Sequence, residues 1–220
     1  MSKKVDVLLR VVVFCFLLLS CKTHYTPTIA PVYSFTGAKQ ANINTSLAQN
    51  GIELQAAFSV SKNIYLSGLY EGAFYSEQNR FRLYGLGLGY YGVLGNRGRI
   101  GLGSELQIGN IGARDITSAN NPRDHVIRLL ANGYIGTEFR LIEYYAGFRM
   151  GNYSFFGRAD QRDIAFRFEP TATIKIGPGR FKLITQIGLS IPTTGWNDLI
   201  PMAHIGFTID TYKMPQRKKN

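Results

Sequence analysis

The feature that most constrains this chain is alternation. In GIELQAAFSVS (51–61), Ile52, Leu54, Ala56, Phe58 and Val60 fall on one face and Glu53, Gln55, Ala57 and Ser59 on the other. RIGLGSELQIGNI (99–111) sets Ile100, Leu102, Leu106 and Ile108 against Gly101, Gly103, Glu105, Gln107 and Gly109. FKLITQIGLSI (181–191) sets Phe181, Leu183, Ile187, Leu189 and Ile191 against Lys182, Gln186, Gly188 and Ser190. Successive side chains of a strand leave opposite faces, so each stretch predicts a two-sided strand. No helical period competes with this from Ala41 onward. Ten such segments are expected, over 41–49, 51–60, 63–74, 80–94, 98–112, 125–139, 142–156, 164–176, 180–191 and 201–211.

The connections sort the strands. Ser61-Lys62-Asn63, LGNRG (94–98), RLI (140–142) and GPGR (177–180) are short. Between them lie the longer polar stretches YSEQNR (75–80), ARDITSANNPRD (113–124), FGRADQRD (156–163) and PTTGWNDL (192–199). The first hairpin, at Asn50-Gly51, is tight. Strict short–long alternation is the pattern of outer-membrane-type barrels, whose turns are short on one side and longer on the other. The expected fold is all-β: an antiparallel up-and-down β-barrel over 41–212, of about ten strands, with eight as the alternative.

Alternation alone does not say which face points out. A soluble barrel turns its apolar face inward and a membrane barrel turns it to lipid. The polar face here interleaves glycine with charges of both signs: Glu53, Glu105, Arg128, Glu138, Glu143, Arg149, Arg167, Glu169 and Lys175, with His204 added on the last strand. Small residues beside balanced charges suit a crowded lumen, and a barrel this narrow is filled by side chains. The opposite face carries no charge mid-strand, as in Tyr144, Ala146, Phe148 and Met150, or Phe166, Phe168, Ala172, Ile174 and Ile176. A charge at the bilayer midplane would cost about 2–4 kcal/mol. Aromatics near strand ends (Phe74/Tyr75, Tyr90/Tyr91, Phe155/Phe156) read as interfacial girdles. These observations favour a lipid-facing apolar exterior and a polar, plugged lumen. The alternative is a soluble barrel that holds an apolar ligand inside.

At the other end of the chain, Lys3 and Lys4 precede an unbroken apolar run, Val11 to Leu19. The run is too short to span a bilayer as a helix and suits the h-region of a signal peptide. It closes on Leu18-Leu19-Ser20-Cys21, which resembles the lipobox of bacterial lipoproteins. That resemblance implies cleavage between Ser20 and Cys21 and a lipid thioether on Cys21. Cys15 lies within the discarded run, so the mature chain holds no second thiol for a disulfide. Four sections follow: a signal peptide (1–20), a tether with Pro27 and Pro31 (21–40), the barrel (41–212) and a basic tail (213–220).

Cys21, the proline-containing tether and NGIELQAAFSVSKNIYLSGLY (50–70) together resemble the small lipid-anchored outer-membrane β-barrel proteins of the Bacteroidota. The resemblance implies attachment through Cys21 to the outer membrane of a Gram-negative cell, with outer-membrane lipid as partner. The alternating turn lengths and the plugged lumen point to a structural or interaction role without catalysis, with loops 113–124 and 192–199 as the surfaces for another envelope protein or a ligand. Two features depart from the pattern. The chain runs past Phe207 and Tyr212 into KMPQRKKN, where such barrels end on an aromatic strand residue. Lys22, Thr23 and His24 lack the acidic pattern linked to surface export, which implies an anchor facing the periplasm.

Other chemistry finds little support. The net charge of +11 gathers at Lys3, Lys4 and Arg10 and at Lys213, Arg217, Lys218 and Lys219, not on a basic helix, so nucleic acid is not an expected partner. Gly87-Leu88-Gly89-Tyr90-Tyr91-Gly92 matches G-x-G-x-x-G, but lies inside a strand where a dinucleotide site needs a strand–helix turn. His24, His125 and His204 share no metal-ligand spacing, and no metal or cofactor is expected. His204 with Ser190 on the preceding strand is the one pair that a lipid-modifying enzyme could use. A histidine within a polar network is the simpler role.

Overall fold

The computed structural model describes residues 28–48, 51–72, 79–113, 124–156, 163–193 and 199–211. Ten strands form one closed barrel: β1 (Ala41–Ala48), β2 (Gly51–Ser59), β3 (Ile64–Gly72), β4 (Asn79–Leu94), β5 (Gly98–Ala113), β6 (Asp124–Glu138), β7 (Ile142–Phe156), β8 (Asp163–Ile176), β9 (Phe181–Pro192) and β10 (Ile200–Asp210). Each pairs antiparallel with its chain neighbours, and β1 closes on β10 from Asn42↔Asp210 to Leu47↔Ile205. Closure leaves no strand edge open to pairing. There is no helix among the described residues. The fold expected from alternation is the fold observed, and strand bounds agree to within two residues.

The wall is uneven in height. β1 to β3 run 8 or 9 residues, whereas β4 to β8 run 14 to 16. Short turns at 60–63, 95–97, 139–141 and 177–180 lie at one end, with the start of β1 and the end of β10. Gly95 and Gly179 take φ of 62° and 64° there, the left-handed backbone that tight hairpins require. The opposite mouth carries the longer connections 73–78, 114–123, 157–162 and 194–198, which lie outside the described residues. Pro170 has no N–H, and the β8–β9 ladder skips from Phe168↔Ile191 to Thr171↔Gly188 around it.

The apolar faces point outward. Leu47, Leu54, Leu66, Leu86, Leu106, Leu129, Tyr144, Phe168, Ile187 and Ile205, one from each strand in order, are all exposed. Of the charged strand residues with described side chains, Arg82 alone faces out, near the long-loop end of β4. This removes the geometry needed by the soluble-barrel alternative, in which those faces would enclose an apolar cavity. Among the expected girdle residues, Tyr90 is outward but Tyr91 is buried in the lumen, because neighbours on a strand must take opposite faces. Phe74 and Tyr75, and the side chains of Phe155 and Phe156, lie outside the described set.

Two luminal glycines lie under tyrosine rings from the neighbouring strand. A Cβ on Gly101 would fall on the ring of Tyr134, and one on Gly89 on the ring of Tyr65. Gly89, within the G-x-G-x-x-G match, therefore makes room for a ring inside a strand.

Candidate functional site: a lumen threaded by the chain itself

The lumen holds a length of main chain. Residues 28–36 are extended, and Thr28 to Phe35 are buried inside the barrel. Residues 21–40 are expected to form a tether; of the described part, Thr28 to Phe35 lie within the barrel. The composition carried a signal of this, since a tether in water has no use for Ile29, Val32, Tyr33 and Phe35 in close succession.

Side chains of the wall satisfy the backbone of this segment. Glu53 accepts the Ile29 N–H at 2.8 Å, and Gln55 donates to the Ile29 carbonyl at 2.7 Å. Gln186 accepts from the Ala30 N–H at 2.8 Å and donates to the Ala30 carbonyl at 3.1 Å. Arg149 donates to the Thr28 carbonyl at 2.7 Å and to the Thr28 hydroxyl. Lys175 donates to the Val32 carbonyl at 2.9 Å, and Tyr134 to the Tyr33 carbonyl at 2.6 Å. An extended segment in an apolar tube would strand these groups at a cost of about 1–3 kcal/mol each. The polar wall and the buried segment therefore require one another. The apolar side chains fill the remaining space: Tyr33 stands edge-on to Tyr65 at 5.0 Å, and Phe35 lies 5.2 Å from Tyr91.

The residues expected to form a luminal network fall into three groups. In mid-barrel, Arg149 pairs with Glu169 at 2.6 Å, and Glu169 also accepts from Ser190 at 2.9 Å and Tyr153 at 3.3 Å. Arg167 joins this group through Ser190 at 3.2 Å. Near the short-turn end, Glu143 accepts from Ser34 and Tyr145 and pairs with Lys182, which also reaches Asp210 at 3.1 Å. Lys175 lies over the Tyr145 ring at 5.6 Å, and Glu138 pairs with Arg99 at 2.5 Å. On the β5–β6 wall, Gln107 bridges Glu105 at 3.0 Å and Arg128 at 3.4 Å, and Arg128 covers the Tyr153 ring at 5.2 Å. Glu53 and Glu71 face each other across β2 and β3.

Sequence reasoning passed over Asp210, Arg99 and Glu71, and placed Lys182 on the polar face without including it in the network. All four lie on the luminal face. Their strand position was readable from the period, but not their partners: Arg99 meets Glu138 across the paired strands β5 and β6, Lys182 reaches Glu143 on β7 and Asp210 on β10, and neither carboxylate oxygen of Glu71 has a hydrogen bond.

His204 is buried beside Gln186, and neither ring nitrogen has a hydrogen-bond partner. Ser190 is engaged with Glu169 and Arg167. The Ser190–His204 pair that acyl transfer would use is not assembled. Among the described residues no cluster of three or more His, Cys, Asp or Glu is placed to hold a metal. Ser20 and Cys21 lie outside the described residues, as do most of loop 113–124, the centre of loop 192–199 and the tail 213–220.

No family model matches the chain, and no curated protein matches it. Among solved structures it is similar to a KdgM porin, with TM-score 0.35 and 10% identity over 77% of this chain and 98% of that one. A KdgM porin in complex with disordered oligogalacturonate gives TM-score 0.35 and 11% identity, with the same coverage.

Proposed function

We propose that this protein is an outer-membrane β-barrel, held also by lipid on Cys21, whose lumen is closed by its own residues 28–36 and whose role is structural or interactive, without catalysis. The observation that carries this reading is the apolar exterior that runs around all ten strands, with Arg82, near one end of β4, its one charged residue among the described side chains. In water such a surface would far exceed the few hundred Å² of contiguous apolar patch that monomers expose. Its height also suits a bilayer. Nine residues of β2 at about 3.4 Å per residue, tilted by roughly 40°, rise about 23 Å, against an apolar band of about 25 Å. The lipobox at Leu18–Cys21 supports the acyl anchor. A lipobox cysteine carries more than one acyl chain, and several chains hold a protein stably where one is marginal. Outer-membrane lipid is the partner, and loops 113–124 and 192–199 are the surfaces for another envelope protein.

Fractionation of cells expressing Cys21→Ala tests the barrel reading. The barrel reading expects the variant to stay in the outer membrane and to migrate faster on gels before heating than after. Release into the soluble periplasm without a heat-dependent shift overturns it.

A further inference from the structure

The apolar exterior carries a polar row near the long-loop end of its tall wall. Arg82 of β4 stands in register with Asn110 of β5, and Asn110 with His125 of β6. All three side chains are exposed. Neighbouring strands lie about 4.8 Å apart, so the three positions fall within about 10 Å. Two residues further down each strand the row is apolar: Tyr84, Ile108 and Ile127, all exposed. Tyr84 also meets Tyr70 of β3, ring to ring, at 5.4 Å. Depth follows from the strand. Arg82 stands four residues above Leu86, the middle of β4, or about 10 Å along the axis at a tilt of roughly 40°. An apolar band about 25 Å tall ends about 12 Å from its midplane. The row thus meets the headgroups, with the tyrosine pair just beneath it, and a long arginine side chain can carry its charge further toward water.

The row offers donors and no acid. His125 Nδ1 lies 2.6 Å from Asn110 Oδ1. An amide oxygen only accepts, so the imidazole donates to it and the Asn110 amide nitrogen is left to donate elsewhere. No ion pair among the described residues engages Arg82, and no described acidic side chain faces outward on any strand. A cation and an amide donor at this depth fit an anion that the membrane itself presents. A guanidinium fork matches two phosphate oxygens at once. We propose that Arg82 and Asn110 bind the phosphate of a lipid headgroup, whose acyl chains lie down the wall over Tyr84, Ile108 and Ile127. The proposal rests on the membrane-barrel reading and names the chemistry of the lipid that the barrel holds.

Native mass spectrometry tests it. The full chain is folded in maltoside micelles, which contain no phosphate, and dimyristoyl phosphatidic acid or dimyristoylglycerol is added. The wild type should retain phosphatidic acid and release dimyristoylglycerol. Arg82→Gln and Asn110→Asp should each weaken retention at least about tenfold, the loss expected for a hydrogen bond to a charged group. Arg97→Gln removes an exposed cation beside Phe139 at the short-turn end and should bind as the wild type does. Heat-dependent migration confirms that each variant folds. Equal retention of the two lipids, or undiminished retention by Arg82→Gln, overturns the phosphate site and leaves the barrel reading standing. An equal loss in Arg97→Gln also overturns it, since general charge attraction would then suffice. Displacement of the lipid by inorganic phosphate at the same concentration overturns the assignment to a lipid. A chain that stays folded and soluble once the detergent is removed overturns the barrel reading, and this site with it.

Discussion

Leu86 offers the sharpest test of what the exterior touches. It sits at the middle of β4, between Gly68 on β3 and Leu106 on β5, and is 75% exposed. With only a quarter of its surface against protein, it contributes about 0.5 kcal/mol through burial, a quarter of the usual 1.5–3 kcal/mol. Replacing it with arginine in water would therefore change stability little, since surface substitutions stay within about 0.5 kcal/mol. In a bilayer the same substitution places a guanidinium near the midplane and costs about 2–4 kcal/mol. That is roughly a 30- to 700-fold shift in the folding equilibrium, at about 1.4 kcal/mol per tenfold. Leu94, at the short-turn end of the same strand, is the control: Leu94→Arg near the interface should cost about 0–1 kcal/mol. The assay is reversible denaturant unfolding of wild type, Leu86→Arg and Leu94→Arg in phospholipid vesicles, followed by tryptophan fluorescence and gel migration. Equal stabilities for the two variants would refute the lipid-facing exterior.

Three further outcomes follow from the lumen. Arg149→Leu leaves Glu169 buried with its guanidinium partner gone, and should cost about 3–5 kcal/mol in unfolding, with the added change Glu169→Leu recovering part of it; a double variant no better than the single sinks the ion-pair account. Gly101→Ala drives a methyl into the Tyr134 ring and should cost about 1–3 kcal/mol, relieved by the further change Tyr134→Leu; a cost unchanged by that second change refutes the packing of the Tyr134 ring over Gly101. Deleting residues 28–36 should turn a barrel silent in planar bilayers into a conducting one, and equal conductance before and after deletion refutes the plug.

The network was legible residue by residue but not pair by pair. Alternation put Arg149 and Glu169 on the luminal face, and the hairpin of β7 and β8 brings them level. The bond of Lys182 to Glu143 joins β9 to β7, strands that are not paired with each other, so it depends on how the closed barrel curves. Tyr91 was misassigned to the girdle for a related reason. Its apolar ring suits lipid, but its place in the alternation turns it inward, where its hydroxyl donates to Gly37 at 2.7 Å.

The sequence by itself determined the ten strands, their order and their two faces, because a period of two is a local property of the backbone and the turn lengths are countable. Only the tertiary structure decided where residues 28–36 go. Their backbone has no ladder of its own, and it becomes stable in the lumen because Glu53, Gln55, Tyr134, Arg149, Lys175 and Gln186 converge on it from five different strands. Convergence of that kind exists only once the barrel has closed, and no local pattern in the chain encodes it.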